Sequence, residues 1–393
     1  MISVSEARKI LSNNLERGET GIKSLNSISG LVLAEDIHSP IDVPSFDNSA
    51  MDGYALTFDE EQGQWELSGV IQAGDTSVHR VEKGQAARIF TGAKMPEGTD
   101  TVIQQELITG DEVSGKIFYS HDKIQTGSNV RKKGTQCKKG DLILAKGTEV
   151  TPGIIGLLAS VGIGEAKVYI PPFVGYIITG NEVKEIGTSL LEGEIYNSNG
   201  PMLEALLKDI GIREITAYKA KDDKKELQKI IEEALEKNDV LLVSGGISVG
   251  DYDFVKECLE SAGVQELFYK VKQKPGKPLF VGKKEKKWVF ALPGNPSSVL
   301  SCFVQYVSPS LRTQMGHQNT FTPDHVLTLV GDANKKSGLT FFMKGKKSPG
   351  RVNLLNGQQS FNLRAFATAD CLVELPEELD FVKNGIQVNV YDL

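Results

Sequence analysis

From about residue 172 to residue 315 the sequence alternates strand-like and helix-like segments, and this limits the folds open to it more than any other feature. Phe173 to Ile178 is an apolar run of strand length. Asn199 to Ile210 has helical spacing, with Pro201 near its start. Ile215 to Tyr218 reads as a strand, and Asp223 and Glu226 form a D-x-x-E capping pattern ahead of a helix reaching Lys237. Asp239 to Val243 is a buried strand, Tyr252 to Ser261 a helix, Trp288 to Leu292 a strand and Pro296 to Tyr306 a helix. Such alternation predicts a doubly wound, mostly parallel sheet.

The flanks differ. Residues 1–39 open with an amphipathic helix that Ser3 or Ser5 can cap, with Ile10, Leu11 and Leu15 at helical spacing. Residues 40–139 carry short β-type runs, such as Trp65-Glu66-Leu67 and Thr101-Val102-Ile103, between Gly, Asp and Asn. Residues 140–168 resemble the opening segment: a strand-like Leu142-Ile143-Leu144, then a helix from Pro152 to Val161. This predicts a discontinuous linking domain (1–39 plus 140–168) with a β-rich domain (40–139) inserted in it. The α/β domain spans 169–315, and a small C-terminal β-domain spans 316–393, with strands at His325 to Val330 and Gly385 to Tyr391. A length of 393 residues accommodates several domains.

Charge narrows the partners. Lysine and arginine total 44 against 51 acidic residues, a net −7 that argues against nucleic-acid binding. Cys137, Cys258, Cys302 and Cys371 are scattered, which fits a reduced compartment and no cysteine–histidine zinc site. The N-terminus lacks the apolar core of a signal peptide, and no run of 18 apolar residues exists. The expectation is a cytoplasmic protein with no membrane contact.

In open α/β sheets ligands bind at the carboxyl ends of strands. Three loops qualify: Thr179-Gly180-Asn181-Glu182, Ser244-Gly245-Gly246-Ile247-Ser248-Val249-Gly250-Asp251-Tyr252-Asp253, and Pro293-Gly294-Asn295-Pro296-Ser297. Glycines in the second let backbone N–H groups approach an anion, and a following carboxylate beside phosphate suits Mg²⁺. The same loop also reads as an ordinary strand–helix turn capped by Asp251; it is neither a P-loop nor a dinucleotide fingerprint. The third loop has Asn295 placed to cap a helix opened by Pro296. Lys270, Lys272, Lys274 and Lys277 fall within eight residues between these loops, stiffened by Pro275 and Pro278. They form either a solvated face or a phosphate clamp. Glu182, Asp222, Asp223, Asp251 and Asp253 add acidic groups at the same edge, so the set suits a metal-assisted reaction on a phosphorylated substrate. No histidine lies in these loops, which removes a Ser-His-Asp arrangement.

Upstream, Pro44 to Ala55 packs small and polar residues between Phe46 and Tyr54 with no period, as a functional loop or a polar interdomain turn would. Thr91-Gly92-Ala93 is a similar, weaker signal.

These motifs, with Asn129-Val130-Arg131, Lys274-Pro275-Gly276-Lys277-Pro278 and Leu292-Pro293-Gly294-Asn295-Pro296, resemble those of the molybdopterin molybdenumtransferases, which are related to the C-terminal domain of gephyrin. The resemblance covers essentially the whole chain. It implies an elongated homodimer with four domains per chain, an α/β domain resembling molybdopterin adenylyltransferase, and a C-terminal β-barrel-like domain. It implies insertion of molybdate into adenylylated molybdopterin with release of AMP and a need for Mg²⁺, and a molybdopterin adenylyltransferase as a possible partner. By motif position, Asp52 and Thr91 would come from the partner subunit, and Glu182, Asp222 and Asp253 would be acidic and metal-associated groups. Lys270, Lys274 and Lys277 would neutralise phosphate or molybdate. Gly245, Gly246, Ser248, Pro293, Gly294, Asn295 and Pro296 would hold the cofactor, with Ser360 supplied by the C-terminal domain. The chain departs from the family pattern at Gln136, where a carboxylate is common, at Gly338-Leu339 and Met343-Lys344, where arginine is common, and at Arg364-Ala365, in place of a Ser-Ser pair. The adenylylation step itself, a tungstate-specific paralogue and a non-catalytic scaffold are the alternatives.

Overall fold

The structure, a computed structural model, describes residues 1–111, 114–119, 123–247, 254–336 and 338–393. The chain divides into two compact units, one of residues 1–34, 147–151 and 166–393, the other of residues 35–146 and 152–165.

The larger unit contains the expected α/β sheet. Its strands run in the order Ile215–Ala220, Val174–Thr179, Val240–Ser244, Lys287–Leu292, Phe280–Lys284 and Gln265–Tyr269. The first four are parallel. The last two are antiparallel to their neighbours, so the sheet carries an antiparallel edge that the alternation of segments did not reveal. Every residue of Val174–Thr179 and Val240–Ser244 is buried, as expected of strands covered on both faces. On one face, Tyr176, Leu242 and Phe290 pack with Leu203 and Leu207 of the helix Asn199–Asp209, with Phe303 and Tyr306, and with Ala7 and Leu11 of the N-terminal helix. On the other, Ile177, Leu241 and Val289 pack with Leu227 and Ile231 of Lys224–Lys237 and Leu259 of Val255–Ser261. Side chains alternate across a strand, so successive apolar residues feed both layers.

Helix signals locate the ends of these elements. Ser3 caps Val4–Asn14 in a complete capping box with Glu6. Asp223 caps Lys224–Lys237 through Glu226 N. The helix opened by Pro296 runs to Cys302, passes through a π turn at Phe303–Val307 and continues as Ser308–Gln314. Asn295 has the extended backbone of an N-cap, but its side chain makes no capping hydrogen bond.

In the C-terminal region Thr340–Ser348, Arg351–Leu354, His325–Val330, Gln387–Asp392 and Cys371–Leu375 pair in that order, and the last returns to the first, which closes a five-stranded barrel. Leu329, Val352, Val373 and Val390 fill it. The two-residue strand Gln273–Lys274 pairs in parallel with Thr340 and Phe341, joining the lysine segment to the barrel.

The second unit holds a six-stranded sheet in the order Thr101–Gln104, Gly53–Leu56, Gln85–Ile89, Gln64–Ile71, Lys116–Phe118 and Thr109–Asp111. Trp65, Ile103 and Ile117 anchor its core. Gly53 sits where a Cβ would lie 2.1 Å from the Ile103 carbonyl oxygen, so the strand pairing itself requires a glycine there.

Candidate active site

The order in which strands are added reverses between Val174–Thr179 and Val240–Ser244, since the chain goes from the first strand to Ile215–Ala220 on one side and then to Val240–Ser244 on the other. That switch point is where ligands bind in such sheets. A cavity of about 650 Å³ opens there, of a size that suits a small-molecule ligand.

Its wall is built from the expected loops. Glu182 and Asp222, Gly245 and Gly246, and Pro293, Gly294, Asn295 and Pro296 all line it. An Asp222 carboxylate oxygen accepts a hydrogen bond from Asn181 N at 3.1 Å, which ties the ends of two neighbouring strands together. Gly245 is in a left-handed conformation with φ 103°, and a Cβ on it would lie 2.4 Å from the Thr179 hydroxyl. A side chain is excluded there twice, by backbone and by contact. Ser248 and Asp253 lie outside the described residues. Among the described residues no group of three histidine, cysteine or carboxylate side chains is gathered for a metal. Two carboxylates, Glu182 and Asp222, nonetheless face one cavity, and Mg²⁺ characteristically takes one or two carboxylates together with water and substrate phosphate. The donor set fits that ion.

The lysine segment is held from beneath. Gln273 is buried, and its Nε2 donates to the Gly276 carbonyl at 3.0 Å while its Oε1 accepts from the Tyr306 hydroxyl. The Cys302 thiol also donates to the Gly276 carbonyl, at 3.7 Å, and burial pushes that thiol up to about 12. The Tyr269 hydroxyl donates to the Ile247 carbonyl at 3.0 Å, linking the start of the segment to the glycine loop. Lys270 Nζ lies 4.6 Å from the Tyr269 ring centre, and Lys274 Nζ 5.3 Å from that of Phe341. Lys274 and Lys277 are exposed. Pro278, next in the chain, lines the cavity; the three lysines are not part of its wall.

Ser360 lies in a loop of the barrel region that Lys344 organises. Lys344 is buried, and its ammonium donates to the carbonyls of Gly357, Gln359 and Asn362 at 3.0, 3.1 and 3.2 Å. The Gln358 carboxamide closes the same loop, accepting from Lys344 N at 3.0 Å and donating to its carbonyl at 2.9 Å. Burial holds the Lys344 ammonium below the usual lysine range.

In the second unit, Asp52 and Thr91 meet. Thr91 N and Oγ1 donate to one Asp52 carboxylate oxygen at 2.8 and 2.7 Å. The backbone bond, then the hydroxyl bond, hold the Asp52 carboxyl below its ordinary range. Gln136 is exposed, with its backbone N–H on the Val43 carbonyl at 2.9 Å.

The motifs did not point to the segment from Ile195 to Asn199. Ile195, Tyr196, Asn197, Ser198 and Asn199 all line the cavity. The signal is the polar run Asn197-Ser198-Asn199 between the first strand and its helix, which by local chemistry reads only as a helix start.

Three sequence-family models match the chain: MoeA N-terminal region (domain I and II) over residues 2–162, probable molybdopterin binding domain over 176–313, and MoeA C-terminal region (domain IV) over 332–393. The molybdopterin molybdenumtransferase of Haemophilus influenzae is 37% identical over 99% of this chain and 98% of its own length. That of Staphylococcus epidermidis is 34% identical over 99% and 95%. The crystal structure of the molybdopterin biosynthesis MoeA protein from Pyrococcus horikoshii superposes with a TM-score of 0.84 at 28% identity, covering 100% of both chains. Matched along its whole length, with the switch-point cavity within the matched molybdopterin-binding segment, the chain belongs to the molybdopterin molybdenumtransferase family.

Proposed function

We propose that this chain is an enzyme that inserts molybdate into adenylylated molybdopterin and releases AMP. The observation that carries the reading is the cavity at the sheet's switch point, where Glu182 and Asp222 face the glycine loops of Gly245 and Gly294. Backbone N–H groups of such loops suit phosphate oxygens, and a preorganised polar wall stabilises charge as it develops. Glu182 and Asp222, with Asp253, are the residues to hold Mg²⁺, which when bound would offset phosphoanhydride charge. Lys270, Lys274 and Lys277 supply positive charge next to the cavity's Pro278, and Ser360 is the barrel region's contribution. Hydrolysis of the phosphoanhydride takes up one water and gives AMP and the pterin's own phosphate. The dithiolene sulfurs replace molybdate oxygen, which leaves as water.

The reading includes four domains per chain and a cytoplasmic homodimer in which the partner copy supplies Asp52 and Thr91. No described helix is long and apolar enough to cross a membrane. A molybdopterin adenylyltransferase is a fitting partner, because its product is this substrate.

Purified chain given adenylylated molybdopterin, molybdate and Mg²⁺ should yield a product that activates an apo-enzyme dependent on molybdenum cofactor. Adenylylation of molybdopterin from ATP, without that product, would replace this reading with the earlier step. Binding without turnover would indicate a scaffold. Turnover with tungstate alone would indicate the tungstate paralogue.

A further inference from the structure

Asn199 opens the helix Asn199–Asp209 and lines the switch-point cavity. Its carboxamide nitrogen donates to the Ser244 hydroxyl at 3.0 Å and to the Gly294 carbonyl at 2.8 Å. Those acceptors belong to the two glycine loops. A carbonyl oxygen only accepts, so the contact with Gly294 fixes which side of the amide faces the loops.

The sheet's backbone ladder ends before these loops. The ladder between Val240–Ser244 and Lys287–Leu292 has its last rung at Ser244 and Leu292. Beyond it one backbone bond joins the two segments among the described residues, from Gly245 N to the Leu292 carbonyl at 3.2 Å. The chain then enters loops that begin Gly245-Gly246 and Pro293-Gly294, which are still close together: a Cβ on Gly294 would lie 3.8 Å from Gly245 Cα. Gly245, Gly246 and Gly294 give these loops a backbone with a wide range of accessible dihedral angles. A planar carboxamide with both N–H groups engaged spans the gap where the backbone ladder stops.

The other end of the amide argues against a purely folding role. Asn199 Oδ1 is buried and has no hydrogen-bond partner among the described residues. Leaving a buried acceptor unmet costs stability, and such costs are tolerated at functional positions.

We propose that Asn199 is a positioning residue that sets the width of the cavity between the two phosphate-type loops. This rests on the transferase reading above. It acts through Ser244 and Gly294 and needs no substrate contact of its own.

The test uses the full chain and the variants Asn199→Ala, Asn199→Asp and Ser244→Ala. Hydrogen exchange at the amides of Gly245, Gly246, Gly294 and Asn295 should rise in Asn199→Ala, with the far end of the helix at Asp209 unchanged. Ser244→Ala, which removes one acceptor and leaves the helix intact, should reproduce the rise at Gly245 and Gly246. In molybdate-dependent AMP release, Asn199→Ala should lower kcat by about 10-fold or more while KM moves by less than about threefold. Asn199→Asp, which sets a carboxylate oxygen against the Gly294 carbonyl, should be no better. Combining Asn199→Ala with Ser244→Ala should add little to Asn199→Ala alone, because both remove one bridge. Wild-type exchange in both loops of Asn199→Ala, or wild-type kcat, overturns the inference. If Asn199→Ala fails to fold, Ser244→Ala decides it, and wild-type exchange at Gly245 and Gly246 counts against it. An unmutated chain that releases no AMP refutes the transferase reading, and the exchange measurement still decides the role of Asn199.

Discussion

One carboxylate oxygen of Asp52 accepts two hydrogen bonds from Thr91, from the backbone N at 2.8 Å and from Oγ1 at 2.7 Å. Two residues 39 positions apart are thereby one chemical unit, and both come from the motifs that sequence resemblance singled out. The bonds keep the carboxylate ionised and aimed in one direction.

Asp52→Ala should lower turnover by at least ~10-fold, equivalent to about 1.4 kcal/mol of barrier. Thr91→Val removes the hydroxyl donor but keeps the backbone donor, which is the larger cause of the lowered pKa. It should therefore raise the Asp52 pKa part of the way toward its ordinary value. Because the folded-state pKa is depressed, the stability from this pair is present above the ordinary carboxylate range and lost as pH falls through the depressed value. Carboxyl-resolved NMR titration of wild type and Thr91→Val checks the direction; an unchanged Asp52 titration contradicts it.

Glu182 and Asp222 are expected to act through Mg²⁺. Glu182→Gln and Asp222→Asn should each raise the Mg²⁺ concentration for half-maximal AMP release by about 10-fold or more, the range seen when groups supporting a metal are changed. Excess chelator should abolish turnover in wild type, and added Mg²⁺ should restore it. Unchanged Mg²⁺ titrations in both variants would assign the metal to other residues.

Lys344 is expected to act on the loop around Ser360. Lys344→Met keeps the volume and deprives three carbonyls of their donor, so stability in urea should fall by about 1–3 kcal/mol or more. Amide exchange should rise from Gly357 to Asn362. The buried ammonium has a pKa below the ordinary lysine value, so the unfolded chain holds that proton more tightly. Its contribution therefore makes the wild type gain stability relative to Lys344→Met as pH rises from the depressed value toward the ordinary one. A parallel pair of pH–stability curves would contradict this.

Gly53 stands inside the Asp52 motif for a steric reason. Gly53→Ala would place a Cβ 2.1 Å from the Ile103 carbonyl oxygen, and strand separation to relieve it should cost about 1–3 kcal/mol. Thermal unfolding reads this out. A wild-type midpoint would mean that the glycine serves the site and not the sheet.

Much of this was legible in the sequence. The strands Val174–Thr179 and Val240–Ser244 are buried throughout and mostly apolar, and Ser3, Asp223 and Pro296 mark helix starts by local chemistry. The glycine loops follow from strand order alone. The antiparallel edge was not legible. Gln265–Tyr269 is half exposed, and Phe280–Lys284, buried at Phe280, Val281 and Gly282, runs out into Lys283 and Lys284, and neither carries a local signal for its direction. Barrel closure depends on Phe341–Gly345 pairing with Cys371–Leu375, a contact between distant segments with no local signature. Asn199 reads as a helix start in the sequence, because nothing in its neighbours announces that its side chain bridges two loops. The side-chain cap expected of Asn295 is absent: the Ser298 and Val299 N–H groups bond the Asn295 backbone carbonyl at 2.9 and 3.0 Å instead.

The measurement that tests the central claim most directly is AMP release from adenylylated molybdopterin by the purified chain with Mg²⁺, with and without molybdate. The account predicts release that depends on molybdate and falls by at least ~10-fold in Glu182→Gln, whose side chain lines the cavity. AMP release that ignores molybdate, or no release while the pterin stays tightly bound, would contradict it.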